Sequence, residues 1–338
     1  MSSLIAETKR ASVLAGLKAA FGATGLDGEP TVLSGGLSGA VLLRIRVGGI
    51  DYVLKIEGPP GPFSDMGQAY ACMGIAAELM LAPRVWHADP AGGVAILDLV
   101  PQKPFSEHHG GRDGLLVELG QTLRTLHQAP RFPRALDVLE SVDAFISPQA
   151  LSNLVPSAQL EALFAGHGRL RAAYRTRDGD RVSSHLDLNP ANILFDGRRI
   201  WLIDWYSAFV ADRYSDLASL VNWLASDPAS EARLTSTYFG APMDENQAAR
   251  LYLMRQSNHL FLGAMFLMGA AAERPEAVGP EDISAGPDLE ALRDQLKTGR
   301  FAMTDYKNRV AYGRARLAEA LGNMQGEAFR SALARVAS

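Results

Sequence analysis

Short apolar runs alternate with polar positions through the first hundred residues, which indicates a small β-sheet accompanied by helices. Helical spacing from Glu7 to Phe21 ends at Gly22. A second helix is predicted from about Met66 to Leu81. A tight turn at Gly48-Gly49 joins the second predicted strand to the third. The predicted strands are Val32 to Leu33, Val41 to Val47, Tyr52 to Ile56, Arg84 to Ala88 and Val94 to Leu99.

Beyond this region the pattern is mostly helical, with one further hairpin. A small antiparallel sheet followed by a larger helical part predicts a two-lobed α+β fold. The boundary is predicted near Val100-Pro101, where the strand pattern stops and Pro101 and Pro104 stiffen the chain. Residues 1–99 would then form the first lobe, with 1–27 mainly a leading helix, and residues 100–338 the second lobe.

Composition narrows the class of protein without deciding its function. The chain has 338 residues, a formal net charge of −4 and one cysteine. A slightly acidic chain gives no reason to expect a nucleic-acid surface, and one cysteine excludes an intramolecular disulfide. No secretory apolar core is visible near the first residue, and the apolar stretch from Leu260 to Ala272 is glycine-interrupted and reads as a buried helix. These features predict a cytoplasmic protein without a membrane span, and they leave its oligomeric state open.

The hairpin in the second half carries the most informative residues. Asp196-Gly197 separates two apolar runs, and such a pair is a strong signal for a two-residue turn. With a type I′ turn there, Phe195 would pair with Arg198, and Asn192 would lie opposite Trp201. Asn192 and Asp204 would then leave the open end of the hairpin close together.

These residues have the spacing of a kinase site. His185, Asp187 and Asn192 follow the H-x-D-x-x-x-x-N pattern, and Ile203-Asp204-Trp205 follows the hairpin. Asp187 would accept the proton of an attacking hydroxyl, and His185 is grouped with it as catalytic. Asn192 and Asp204 would hold Mg²⁺, a hard cation that takes oxygen ligands and keeps positions for water and phosphate.

The chain resembles the aminoglycoside phosphotransferase and choline kinase family, the small-molecule branch of the protein-kinase-like fold. In that family the catalytic loop has the pattern H-x-D, and a metal-binding asparagine follows the aspartate by five residues. A metal-binding aspartate further along the chain lies in the sequence I-D-W or I-D-F. Here Asn189 stands where the family often has histidine. The segment from Asp212 to Ala218 matches a D-x-x-x-D-L-A pattern, which implies that Asp216 braces the catalytic loop. The resemblance runs from about Val32 to Met268.

The small lobe contains candidate nucleotide-binding residues. A glycine-rich loop between two strands would cover the phosphates of ATP, with contacts from Ser34, Gly35, Gly36, Ser38 and Gly39. Lys55 ends an apolar strand and resembles the V-A-I-K lysine that touches the α- and β-phosphates. The resemblance also implies that the backbone carbonyl of Asp98 and the N–H of Val100 bind the adenine edge.

One expected residue is missing. In the family a glutamate in the following helix orients the lysine, but the first turns of the predicted helix contain none. Glu78 lies near the end of that helix, and Gln68 or Asp65 are the other candidates to replace it. An uncompensated inward lysine is costly, so Lys55 is predicted to face the cleft between the lobes, within reach of a carboxylate from the helix Met66 to Leu81 or of a bound phosphate.

The acceptor of the phosphate stays open at this stage. The resemblance implies transfer from ATP to a hydroxyl of a small molecule, such as an amino alcohol, an aminoglycoside or a sugar. An ammonium group would favour aromatic faces, whereas an aminoglycoside would favour carboxylates. The chain after the metal aspartate contains both kinds of side chain: the aromatic residues Trp205, Tyr206, Trp223, Tyr252, Phe261 and Phe266, and the acidic residues Asp244, Glu245, Glu273, Glu276, Glu281 and Asp282. The alternative function is a nucleotide-binding pseudokinase or regulatory protein without efficient transfer, and the missing helical glutamate is its only support.

Overall fold

The computed structural model describes residues 3–33, 40–58, 65–146, 148–274, 279–297 and 300–338. Within these ranges the structure is mainly helical. Its α-helices are α1 (Arg10–Phe21), α2 (Met66–Glu78), α3 (Gly111–His127), α4 (Val138–Phe145), α5 (Pro148–Leu151), α6 (Ser157–Ala173), α7 (Arg213–Leu224), α8 (Pro228–Phe239), α9 (Glu245–Glu273), α10 (Leu289–Lys297), α11 (Tyr306–Gln325) and α12 (Glu327–Ala337).

The strands of the described residues form one five-stranded sheet and two small ones. The larger sheet is antiparallel, with the strand order β1-β2-β3-β5-β4. Strands β6 and β9 form one small sheet, and β7 and β8 form the other. The strands are β1 (Thr31–Val32), β2 (Val41–Val47), β3 (Ile50–Ile56), β4 (Val85–Asp89), β5 (Val94–Asp98), β6 (Arg181–Ser184), β7 (Ile193–Phe195), β8 (Ile200–Leu202) and β9 (Phe209–Asp212). The predicted α+β class is therefore confirmed, with element ends shifted by a few residues.

Packing divides the chain into two compact units that are discontinuous in sequence. The first unit comprises residues 1–135, 182–210 and 223–241, and the second comprises residues 136–181, 211–222 and 242–338. These units differ from the predicted lobes, because the segment that holds β7 and β8 belongs with the five-stranded sheet. The predicted lobe boundary between residues 99 and 100 stays a prediction.

The first unit has its core between α1 and the five-stranded sheet. Val13 and Leu17 on α1 are fully buried, as are Leu43 on β2, Leu54 on β3 and Ile96 on β5. The turn between β2 and β3 uses Gly48 and Gly49 with φ of 60° and 77°, values that suit glycine in a type I′ hairpin. Because side chains alternate along a strand, the residues of β3 that do not face this core, including Lys55, project from the other face of the sheet.

The second unit is a helical assembly with its own core. Buried leucines from α6, α9 and α11 form the centre of this core, for example Leu163, Leu260 and Leu317, each with no exposed surface. The stretch from Leu260 to Ala272 is part of α9, which confirms the predicted buried helix. Among the described helices, none combines the length and the apolar character that crossing a bilayer requires.

The β7–β8 hairpin differs from the predicted register. Phe195 pairs with Ile200 instead of Arg198, so the connection has four residues, 196–199. The side chain of Asp196 accepts hydrogen bonds from the N–H groups of Arg198 and Arg199, which stabilises this wider turn. The type I′ prediction was wrong because the sequence signal for Asp-Gly takes no account of this side-chain cap.

Candidate active site

The observed hairpin register brings the backbones at the two predicted metal ligands, Asn192 and Asp204, close to each other at the open end of the hairpin. Trp201 pairs with Leu194, and the N–H of Ile203 donates to the carbonyl oxygen of Asn192 at 3.0 Å. Asn192 therefore lies opposite the residue immediately before Asp204. This backbone hydrogen bond places Asn192 across the hairpin from Ile203, whereas the predicted register would have placed it opposite Trp201.

Asp187 lies at the centre of a hydrogen-bond network within the catalytic loop. Its Oδ1 accepts from Asn189 Nδ2 at 2.9 Å, and its Oδ2 accepts from Asn192 Nδ2 at 2.8 Å. Burial raises the pKa of the Asp187 carboxyl, the bond from Asn189 and the nearby His185 lower it, and the negative charge of Asp204 raises it again. A carboxylate held in this way is fixed in orientation and raised in basicity, as proton acceptance requires.

Asn189 also closes the turn that follows the catalytic aspartate. Its Oδ1 accepts from the N–H of Ala191 at 2.9 Å while its Nδ2 donates to Asp187. The residue that stands where the family often has histidine thus fixes both the loop and the carboxylate.

His185 lies beneath the loop and is fully buried. Its Nε2 bonds to the carbonyl oxygen of Ile203 at 2.9 Å, and its Nδ1 accepts from the N–H of Asp187 at 3.3 Å. Its ring lies 4.6 Å from that of Trp205. These contacts join the catalytic loop to the end of the hairpin, so His185 has the surroundings of a positioning residue.

The site contains oxygen atoms that fit a magnesium ion. Asn192 Nδ2 donates to the backbone carbonyl and the carboxylate of Asp187, which leaves its Oδ1 as an acceptor. Asp204 Oδ1 is buried and has no hydrogen-bond donor among the described residues. No group of three or more histidine, cysteine, aspartate or glutamate residues suited to a metal occurs in the described part of the chain. Two protein oxygens with remaining positions for phosphate and water are, however, the usual provision for Mg²⁺.

Asp204 has an uncommon backbone conformation. Its φ is 66° and its ψ is 75°, in the left-handed region that non-glycine residues seldom adopt. Leu186, next to the catalytic aspartate, has a φ of 63°. Such conformations concentrate at functional sites, where surrounding contacts hold them.

Lys55 contacts two carboxylates of the first unit. Its Nζ lies 3.4 Å from Glu57 Oε1 and 3.5 Å from Asp204 Oδ1, and its side chain is 13% exposed. The ammonium group also lies 4.4 Å from the centre of the Tyr206 ring, within the range of a cation–π contact. Lys55 does face carboxylates, but neither comes from the helix that was predicted to supply one, and one of them belongs to Asp204, the predicted metal ligand.

Glu57 is the residue that the sequence analysis missed. It lies two residues after Lys55, so the alternation of β3 carries both side chains to the same face of the sheet. Its side chain is 3% exposed, and Tyr70 donates its hydroxyl to Glu57 Oε1 at 3.2 Å. Burial and then Glu57 raise the pKa of Tyr70 far above its usual value, so this hydroxyl remains a donor. The sequence signal that could have revealed this partner was the position of Glu57 two residues after Lys55, which puts both side chains on one face of the strand.

The three candidates for orienting Lys55 have other roles in the structure. Glu78 is exposed at the end of α2. Asp65 caps the start of α2 and pairs with Arg134 at 2.7 Å. Gln68 donates to the carbonyl oxygen of Ala208 at 2.9 Å. Their proposed replacement role was therefore wrong, because Glu57, directly after β3, and Asp204 supply the carboxylates.

Cys72 is packed beside this part of the site. It has no exposed surface, and burial raises the pKa of its thiol to about 12. We expect native protein to resist alkylation by iodoacetamide near neutral pH and to react fully once unfolded. Mass spectrometry of both states checks this, and rapid modification of the folded protein at Cys72 would contradict the packing described here.

The other residues predicted to contact the nucleotide belong to the glycine-rich loop and to the end of β5. Residues Ser34, Gly35, Gly36, Ser38 and Gly39 lie outside the described residues. Asp98 ends β5, and its side chain accepts from Trp86 Nε1 at 2.6 Å. Val100 follows the strand and is half-buried. Their contacts with adenine stay predictions.

A family model for the phosphotransferase enzyme family matches residues 29–251, about two thirds of the chain. The chain belongs to this family. The match contains β1 to β9 and every catalytic-loop residue described above. No curated protein matches the sequence closely enough to count as a relative.

Solved structures agree in fold with this phosphotransferase chain. A choline/ethanolamine kinase family protein from Mesorhizobium loti is 22% identical, with a TM-score of 0.70, covering 97% of this chain and 99% of its own. Choline kinase LicA from Streptococcus pneumoniae is 15% identical, with a TM-score of 0.62, covering 93% and 98%. Spectinomycin phosphotransferase APH(9)-Ia is 12% identical, with a TM-score of 0.53, covering 90% and 98%. These similarities establish the protein-kinase-like fold.

Three of the aromatic residues considered for an ammonium group have ring partners in this phosphotransferase. Trp205 is buried against His185, and Phe261 packs edge-on to Phe145. Phe266 packs edge-on to Tyr312 at 5.5 Å. Each of these three rings therefore packs against another ring of its own unit.

Several carboxylates considered for an aminoglycoside are also engaged elsewhere. Asp244 caps the start of α9, and Asp282 caps the short turn after it. Glu273 pairs with Arg309, and Glu281 pairs with Arg314. Glu276 lies outside the described residues.

Proposed function

We propose that this phosphotransferase moves the γ-phosphate of ATP to a hydroxyl group of a small molecule in a Mg²⁺-dependent reaction. One observation carries the proposal. Within the first unit, the base candidate Asp187 is hydrogen-bonded to Asn192, and the Lys55 ammonium group lies 3.5 Å from Asp204. These four groups are the ones that kinases use to orient a hydroxyl, hold the metal and neutralise phosphate charge.

Each residue has a distinct part in the proposed reaction. Asp187 accepts the proton of the acceptor hydroxyl as its oxygen attacks the γ-phosphorus, and the bond from that phosphorus to the bridging oxygen of ADP breaks. Asn192 and Asp204 would hold Mg²⁺, which when bound would neutralise charge on the phosphate oxygens. Lys55 contacts phosphate oxygens in place of its present carboxylate neighbours. His185 and Asn189 hold Asp187 in its orientation.

The alternative of a pseudokinase loses its sequence support. It depended on the absence of a helical glutamate to orient the lysine, and Glu57, the residue that follows β3, provides a carboxylate to Lys55. The hydroxyl of Tyr70 holds this carboxylate in place. We therefore favour transfer over nucleotide binding alone.

The proposal is tested by measuring ATP consumption with Mg²⁺ against amino alcohols, aminoglycosides, sugars and hydroxy acids. We expect at least one class to stimulate ADP formation well above the rate with water, and the phosphorylated product to be visible by mass spectrometry. Tight ATP binding without stimulation by any class would instead favour the pseudokinase.

We expect Glu57→Gln to lower kcat/KM for ATP by about tenfold, the equivalent of about 1.4 kcal/mol. Glutamine keeps an acceptor for Tyr70 but removes the charge that holds Lys55. Steady-state kinetics with varied ATP measure the effect. Glu78→Gln is the matched control, because Glu78 is exposed on the helix that usually provides this carboxylate. Equal behaviour of the two variants would rule out the role of Glu57.

A further inference from the structure

The β7–β8 hairpin, which Asn192 precedes and Asp204 follows, is a two-stranded sheet, so both of its strands are edges. The outward backbone groups of an edge strand are not paired within the sheet and take their partners from elsewhere. On the β7 edge, the carbonyl oxygen of Phe195 accepts from the N–H of Lys103 at 2.7 Å. The place of the hairpin in the first unit is therefore set by the groups that bind its edges.

Two N–H groups of β8 donate to acceptors outside the hairpin. The N–H of Leu202 donates to the carbonyl oxygen of Leu81 at 2.7 Å, and the N–H of Ile200 donates to Glu118 Oε1 at 2.6 Å. The first contact joins two backbone groups, so it does not depend on a side chain. The second depends on a carboxylate from α3, and Ile200 is buried, so loss of this acceptor would leave a costly unpaired N–H.

His108 binds the other oxygen of this carboxylate. Its Nε2 lies 2.8 Å from Glu118 Oε2, and the N–H of Gly110 donates to its Nδ1 at 3.1 Å. A ring nitrogen that accepts carries no proton, so this pattern assigns the donating N–H to Nε2. The carboxylate of Glu118 thus receives one donor on each oxygen, which fixes its orientation.

The ring of His108 is enclosed between α3 and the hairpin. Its side chain is 2% exposed, and the ring centre lies 5.1 Å from that of Phe195 on β7. Gly114 on α3 gives it room, since a Cβ atom there would lie 3.1 Å from His108 Cε1. His108 therefore contacts β7 through its ring and reaches β8 through Glu118.

We propose that His108 and Glu118 are positioning residues for the metal site. They fix the start of β8, and through that strand they set where Asp204 lies relative to Asn192. Ile200 precedes Asp204 by four residues, about 13 Å of extended chain, so the pair acts through the strand and not on the metal ligands directly. The inference rests on the proposed function, in which Asn192 and Asp204 hold Mg²⁺.

Two substitutions of Glu118 test its hydrogen bonds at a similar side-chain length. Glu118→Gln keeps one acceptor oxygen for two donors, and Glu118→Met keeps no oxygen. Hydrogen exchange of the β8 amides is measured by mass spectrometry without ATP or metal, because an amide that loses its acceptor is exposed by smaller openings. We expect exchange in β8 to be slowest in the parent, faster in Glu118→Gln and fastest in Glu118→Met.

The second readout is the ratio of the ATP affinities in Mg²⁺ and in EDTA, measured by calorimetry without turnover. We expect this ratio to fall by about fivefold in Glu118→Met, and by less in Glu118→Gln. ATP affinity in EDTA should stay close to the parental value, because the pair acts on the place of Asp204 and not on the nucleotide. A general loss of folded protein would weaken ATP binding equally in both conditions.

His108→Gln and His108→Leu test the second residue of the pair. A glutamine amide can donate to Glu118 Oε2 as the ring N–H does, whereas leucine only fills the space. We expect His108→Gln to keep most of the parental ratio, and His108→Leu to lower it about as much as Glu118→Gln does. Equal losses in the two His108 variants would show that the shape of the ring matters instead of its hydrogen bond, and would overturn the role of His108.

Two controls guard against effects of charge and of stability. Glu107→Gln makes the same charge change at a side chain that is 53% exposed, and we expect it to behave as the parent does. Leu119 is the buried neighbour of Glu118 on α3, and Leu119→Ala should lower the unfolding temperature and leave the affinity ratio unchanged. The proposal is overturned if Glu118→Met keeps the parental ratio, or if Leu119→Ala lowers the ratio as much.

The parent protein separates this inference from the proposed function. Equal ATP affinities of the parent in Mg²⁺ and in EDTA would contradict the metal site itself, and both proposals would then fail. A parent that binds ATP more tightly in Mg²⁺, together with an unaffected Glu118→Met variant, would overturn the positioning role alone.

Discussion

Replacing Asp187 with asparagine is expected to reduce phosphate transfer by about 100-fold or more. The amide of asparagine cannot accept the hydroxyl proton, so kcat should fall while ATP affinity changes little. Single-turnover measurements of product, together with calorimetry for ATP, separate the two quantities. The physical reason is specific to this loop, where Asp187 receives hydrogen bonds on both carboxylate oxygens and is held in one orientation.

The matched control for this variant is Asp113→Asn, since Asp113 is an exposed aspartate on α3 whose side chain is 72% exposed. We expect it to keep parental kinetics. The thermal stability of the Asp187→Asn variant must also be measured, because an amide group now faces Asn189 and Asn192. Retention of more than about a tenth of parental kcat would contradict the assignment of Asp187 as base.

Replacing Asp204 with alanine is expected to abolish the dependence of ATP binding on Mg²⁺. The carboxylate is one of two protein groups assigned to the metal, and its Oδ1 has no hydrogen-bond donor among the described residues. Its removal also deprives Lys55 of one of its two carboxylate neighbours. ATP affinity in Mg²⁺ should therefore fall toward the value measured without the metal.

Calorimetry with ATP in Mg²⁺ and in EDTA measures this difference for the variant and the parent. Asp196→Ala serves as the control, because Asp196 belongs to the same hairpin but caps its turn. An unchanged ratio of the two affinities in the Asp204→Ala variant would remove Asp204 from the metal site.

The sequence allowed most of the catalytic segment to be predicted because that segment is local. His185, Asp187, Asn192 and Asp204 lie within one loop and one short hairpin, and their spacing restricts where they can lie. The hairpin register was missed because the Asp196 side chain caps a four-residue turn, and turn preferences for Asp-Gly count only backbone conformations.

The partner of Lys55 was missed for a different reason. The family pattern places the partner of the lysine on the helix after the strand, so Glu57 was not considered. Its role depends on Tyr70 from α2, which donates to it across the unit. A contact between residues on separate elements has no sequence spacing to reveal it. The alternation of β3 alone places Glu57 on the side of Lys55, and the tertiary contact completes the arrangement.

The left-handed backbone of Leu186 and Asp204 has a consequence for protein engineering. Each such residue costs about 1–3 kcal/mol, so the segment is folded against a local preference that its surroundings overcome. A search for heat-resistant variants would favour glycine at both positions, since glycine adopts this conformation without steric penalty. At position 204 that gain would remove the carboxylate, so thermostability and activity are set in opposition at one residue.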